Sequence, residues 1–127
     1  MAFGDIGGVV TELIITCRTA AEGAVNIAKG DAVKLAGPYT VTNEAAADDP
    51  VFGEALAASR ANGEAIPVKV RGISVFAYEG DPDPAVDGVS GVAAAETPGK
   101  VKAPAAGNGR GVIVKVDAAR QQVHVLL

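Results

Sequence analysis

Apolar and polar residues alternate with period two along much of this chain. In Ile66-Pro67-Val68-Lys69-Val70-Arg71 every second position is apolar, the spacing that puts one face of an extended strand against a core. The next stretch, Gly72-Ile73-Ser74-Val75-Phe76-Ala77-Tyr78, sorts Ile73, Val75 and Ala77 onto one face and Ser74, Phe76 and Tyr78 onto the other. One face is expected to be core while the other carries the aromatics. Residues 9–18, rich in β-branched side chains, predict an earlier strand. Val25 and Ile27 alternate ahead of Lys29-Gly30-Asp31, and Ala32-Val33-Lys34-Leu35 follows, which predicts a hairpin closed by a tight glycine turn. Gly37-Pro38 is a turn dipeptide before a further strand, Tyr39-Thr40-Val41-Thr42.

Residues 51–61 contain the helix formers Glu54-Ala55-Leu56-Ala57-Ala58 after Asp49-Pro50. A strand is nevertheless preferred, because Asn62-Gly63 is a favoured hairpin turn and the alternating stretch after it needs a partner. Residues 79–87, with Asp81-Pro82-Asp83-Pro84, must be a loop, since each proline removes a donor and extends its predecessor. The last part of the chain reads as strands over 89–95, 100–103, 111–116 and 121–127, separated by turns at 97–99, 107–109 and 118–120. No amphipathic helix longer than about two turns is evident. The expectation is an all-β fold: one compact small barrel or sandwich of short strands over residues 13–127, with an extended N-terminal arm over residues 1–12.

Composition narrows the function classes. The 127 residues suit one domain; 49% are apolar and 20% charged, as in a folded chain rather than a disordered tail. With three Phe, two Tyr and no Trp, alanine and valine must fill the core, so self-association or docking would add useful burial. A net charge of −4 disfavours sequence-independent nucleic-acid binding, which needs Lys and Arg to displace phosphate counterions. The start of the chain lacks a basic segment ahead of an apolar one, and no stretch approaches the ~20 apolar residues of a membrane span. Synthesis in the cytoplasm, without a signal peptide or membrane contact, is the expectation.

Candidate chemistry is sparse. His124 is the only histidine, lies in Val123-His124-Val125-Leu126-Leu127, and is expected to be a half-exposed strand residue. The serines, Ser59, Ser74 and Ser90, lack the spacing of a nucleophile elbow. Cys17, the single cysteine, cannot form an intrachain disulfide and is expected to pack within a strand. Gly107-Asn108-Gly109-Arg110-Gly111 has the glycines of a phosphate loop but precedes the strand-like Val112-Ile113-Val114-Lys115-Val116, so a turn is expected. Asp81, Asp83 and Asp87 could offer oxygens to calcium, but the prolines interrupt the ligand alternation and no glutamate closes the loop. Asp48-Asp49 is expected to be solvated loop charge. No catalytic residue, metal ligand, cofactor or small-molecule substrate is expected, and the chain is read as a non-enzyme.

Several segments together resemble the capsid decoration, or cement, proteins of tailed bacteriophages. They are Lys29-Gly30-Asp31-Ala32-Val33, Phe52-Gly53-Glu54-Ala55-Leu56 ahead of the Gly63 turn, Val68-Lys69-Val70-Arg71-Gly72, and Pro98-Gly99-Lys100-Val101. The closing Gly111-Val112-Ile113-Val114, Asp117 and Val123-His124-Val125-Leu126-Leu127 extend the resemblance over residues 24–127. It implies a compact β-rich domain, commonly a homotrimer, seated near three-fold positions on the outer surface of an expanded head and reinforcing contacts of the major capsid protein. It implies no cofactor or reaction. In similar proteins an extended N-terminal arm often contacts the shell, and Phe3, Ile6, Val9 and Val10 suit that task by strand addition. The chain departs from the pattern in its longer start before Ala24 and in the long loop over 79–88. Two other readings share some of these features: a tail component of the virion, and a lipoyl-like carrier domain, for which the motif around a modified lysine is missing.

Overall fold

The computed structural model describes residues 12–80 and 82–127, which contain strands and turns but no helix. The arm residues Phe3, Ile6, Val9 and Val10 lie outside the described residues. The strands are β1 (Leu13–Arg18), β2 (Ala32–Gly37), β3 (Thr40–Thr42), β4 (Gly53–Ala55), β5 (Ala65–Arg71), β6 (Ile73–Ala77), β7 (Ala93–Ala94), β8 (Val101–Lys102), β9 (Val112–Asp117) and β10 (Gln122–Leu126).

Five of them close a small barrel in the order β1-β3-β2-β4-β5, with β5 pairing back onto β1. Only the β1–β3 contact is parallel. Closure gives every strand of this unit a neighbour on both sides, the β1–β3 seam being held at Arg18 and Thr40, which suits strands as short as β3 and β4. Alternation supplies the filling: Ile66, Val68 and Val70 of β5 point inward with Cys17, Ile27, Val33, Val41 and Ala55. A second layer lies under the sheet β6-β10-β9, where Phe76, Tyr78, Ile113, Val123 and Val125 pack with Val92 and Val101 beside the two-stranded β7-β8. Strand β2 serves both cores, since Val33 faces the barrel interior and its neighbour Ala32 joins the second cluster.

Four expectations change. First, Val25 and Ile27 do not form a hairpin with residues 32–35; Ile27 instead makes a lone antiparallel bridge to Ser59. The turn at Gly30 is present, with φ of 92°, but Asp31 is used locally, accepting from the Ala28 amide and from Asn43 Nδ2 at 2.8 Å. Second, the strand expected over 51–61 shrinks to Gly53–Ala55, although it does pair antiparallel with β5. Asn62-Gly63 is not a two-residue hairpin turn, because residues 56–64 all lie between the two strands and Asn62 Nδ2 donates to the Ala20 and Gly23 carbonyls. Third, the strands expected over 89–95 and 100–103 reduce to the two-residue pair β7 and β8.

The chain passes from barrel to second sheet through one residue, Gly72, whose φ of 115° only glycine adopts readily. Its carbonyl accepts the Leu127 amide at 2.8 Å, fixing the end of β10 to the same corner. The corner preserves parity: even-numbered positions are buried on β5 and remain buried on β6, at Ser74, Phe76 and the following Tyr78. Fourth, the expected sides are exchanged: the aromatic face is the core, while Ile73, Val75 and Ala77, expected to face it, look outward. Two rings bury more area than the aliphatic alternative, which favours this side for the layer that must be filled.

Arg110 joins the two halves. Its backbone exchanges hydrogen bonds with Val92, N–H to O at 2.8 Å one way and 3.0 Å the other. Its guanidinium reaches the barrel, with Nη1 donating to the Phe52 carbonyl at 3.1 Å and Nη2 to that of Val70 at 2.6 Å. Glycines flank it because the backbones are close: a Cβ on Gly91 would overlap the Arg110 carbonyl, and one on Gly109 would lie 2.7 Å from the Val92 oxygen.

Candidate interaction surface

The sheet β6-β10-β9 has one face on the second core and the other in solvent. Strand pairing arranges the outer face as three rows, Ile73–Leu126–Val112, then Val75–His124–Lys115, then Ala77–Gln122–Asp117. The rows grade from wholly apolar to mostly polar. Leu126 is 48% exposed and Val75 37%, so large aliphatic groups meet water where a solvated strand face normally carries polar residues. A bulge between His124 and Val125 leaves Val114 unpaired on β9 and turns it outward as well, 47% exposed. The outer edge of β9 is occupied at Ile113, whose amide donates to the Ser90 carbonyl at 3.0 Å, and is blunted by that bulge and by Lys115, so the face, rather than the edge, is the contact surface on offer.

His124 is a half-buried strand residue on this face, opposite Val75 and Lys115. Ser74 belongs to the same sheet but points to the other side, where its hydroxyl is buried without a hydrogen-bond partner among the described residues. The period-two alternation thus separates the histidine from the nearest strand serine. Cys17 is buried in the barrel, and burial pushes its thiol pKa up, away from the reactive thiolate.

The carboxylates are individually occupied. Asp48 accepts from the Ala105 amide and from Lys102, both at 2.9 Å, and the first of these contributes most to holding its pKa low. Asp49 is held low chiefly by Lys34 at 2.8 Å and then by the Ala46 amide. Each has its own lysine, so the pair does not share a proton. Asp87 closes a turn by accepting from the Val89 amide at 2.9 Å and the Ser90 amide, with the Ser90 side chain as the largest influence; its pKa falls to about 2. Asp81 lies outside the described residues, and no group of three potential ligands able to hold a metal occurs among those described.

An Asp87 carboxyl that ionises more readily in the folded chain stabilises the fold above the ordinary carboxylate range. That stabilisation is lost as pH falls from about 4, the unfolded value, towards about 2. Asp87→Asn is expected to flatten the acid limb of a plot of unfolding free energy against pH in this window, while leaving its neutral-pH shape unchanged. An unaltered acid limb would remove Asp87 from the set of responsible groups.

A cleft of about 380 Å³ lies where the barrel meets the β7-β8 region, bounded by Pro50, Val51, Val92, Pro104, Asp48 and Arg110. Its two charged residues are committed elsewhere, Asp48 to Lys102 and Arg110 to the barrel carbonyls. Neither family models nor curated proteins give a match to this chain. The outer face of β6-β10-β9 stands out by its own geometry. Sequence reading located its strands but not the face itself, because Ile73 and Val75 have the composition of core residues.

Proposed function

We propose that this chain is a capsid decoration protein that binds the outer surface of a tailed-phage head, as a homotrimer near three-fold positions, and stabilises the shell without catalysis. The observation that carries the proposal is the aliphatic outer face of β6-β10-β9, built on a small all-β unit and aligned by strand register. Contact with another protein would remove Ile73, Leu126, Val112 and Val114 from water, a gain of roughly 25 cal/mol per Å² of apolar area. The resemblance over residues 24–127 gives the partner's class, the major capsid protein, and Phe3, Ile6, Val9 and Val10 would supply a second contact by strand addition. Weak contacts of this kind suffice when a trimer presents them together, because the second and third bind at high effective concentration.

Shell stabilisation is measurable apart from binding. Added protein is expected to raise the temperature at which expanded, undecorated shells come apart. Ile73→Lys, at a position 36% exposed, should weaken that effect by charging the apolar row while keeping the parent's unfolding free energy, measured in urea, to within about 1 kcal/mol. Shells that bind the protein yet disassemble at an unchanged temperature would contradict the stabilising role.

A further inference from the structure

Glycine follows an asparagine or aspartate in Asn62-Gly63, Asp87-Gly88 and Asn108-Gly109. Such pairs cyclise readily, since glycine has no Cβ to shield the attacking backbone nitrogen. The fold treats the three differently. Asn62 Nδ2 is held by the Ala20 carbonyl at 2.9 Å and the Gly23 carbonyl at 2.8 Å, and the Gly63 amide, the would-be nucleophile, donates to Ala20 at 3.1 Å. Asp87 is fixed by the Val89 and Ser90 amides, and as a carboxylate it has no leaving group to expel.

Asn108 lacks these restraints. It is exposed, and neither its side chain nor the Gly109 amide has a hydrogen-bond partner among the described residues. Only its carbonyl is engaged, accepting from the Gly91 amide at 2.7 Å. We propose that Asn108 is the deamidation site of this protein, and that its conversion loosens the Arg110 joint between barrel and second sheet.

The Gly109 nitrogen attacks the Asn108 side-chain carbonyl carbon, forming a C–N bond. The amide nitrogen departs as ammonia, taking the electron pair of its broken bond and the proton from Gly109. Water then adds to either carbonyl of the cyclic imide, and ring opening yields aspartate or isoaspartate at position 108. One water enters, one ammonia leaves, and nothing is oxidised or reduced. Isoaspartate lengthens the backbone by one methylene immediately before Gly109, a residue packed so closely that even a Cβ on it would lie 2.7 Å from the Val92 oxygen. The displacement falls next to Arg110, whose position depends on its exchange with Val92. Either product also adds one negative charge to the net −4, which makes it separable by ion exchange.

The native full chain would be incubated in mildly alkaline buffer and digested with trypsin, which places the two asparagines in separate peptides, residues 61–69 and 103–110. Because conversion at Asn62 must first break its hydrogen bonds, Asn108 is expected to convert roughly tenfold or more faster. In concentrated urea the two rates should converge. Equal native rates, or faster conversion of Asn62, would overturn the assignment. The isolated deamidated fraction should melt below the parent, and Asn108→Gln should prevent that fraction from appearing. A deamidated fraction with the parent's melting temperature would overturn the link to Arg110.

Discussion

Phe76→Ala is expected to lower the unfolding free energy by about 4 kcal/mol, whereas Val75→Ala, the adjacent residue of the same strand, should cost under about 1 kcal/mol. Phe76 is fully buried in the second core, and its neighbours there are mostly valines, which cannot collapse far enough to refill the space of a ring. Val75 is on the outer face beside His124. Urea denaturation separates the two variants by midpoint, with unchanged slopes showing that the same surface is exposed on unfolding. The comparison is sharp because β6 is apolar on both sides. If Ile73 and Val75 faced the core instead, the order of the two effects would reverse, and the aliphatic outer surface would not exist.

Arg110→Ala is expected to cost about 3 kcal/mol, lowering the melting temperature by roughly 10 °C for a domain of this size. Two charged hydrogen bonds, to the Phe52 and Val70 carbonyls, tie the strand entry before β9 to the barrel. Their loss leaves those carbonyls without the donor that approaches them across the joint. Desolvation, and then the nearby Arg71, depress the Arg110 pKa, so the guanidinium is held there against a cost that its two acceptors offset. Arg110→Lys should recover only part of the loss, because an ammonium on a flexible stem does not reproduce a planar fork. A loss within about 0.5 kcal/mol for Arg110→Ala, the range of ordinary surface changes, would show that the halves are held by apolar packing alone.

These two residues mark what could and could not be read from the chain. The strands β5 and β10 were legible because apolar and polar positions alternate in them, and β9 because its β-branched run Val112-Ile113-Val114 follows a glycine turn. In β6 both faces are apolar, and alternation alone put the aliphatic one inward; the parity continued from Ile66, Val68 and Val70 across Gly72 decides for the aromatic one. The Val25–Ile27 hairpin failed for another reason. Its turn chemistry is real, but Ile27 bridges to Ser59, a distant residue that local propensity does not represent. Strand β4 is short and opens on Gly53: a Cβ there would overlap the Lys69 carbonyl, so the segment is shaped by close backbone approach rather than by side-chain preference.

Arg110 was read only as part of a glycine turn. The glycines around it are the visible trace of tight backbone packing, yet its acceptors are 58 and 40 residues away and only the folded chain brings them together. The interaction surface was hidden similarly. It is formed by odd positions of β6, even positions of β10 and the bulge at Val114, and becomes continuous only once their register is known.

The proposed decoration function is tested most directly by cosedimentation of the purified protein with expanded, undecorated shells of a tailed phage whose genome carries this sequence, counting copies bound per shell. Saturable binding at a multiple of three copies per local three-fold site is the predicted result. No binding to shells verified as intact would contradict it and would favour a tail component of the virion.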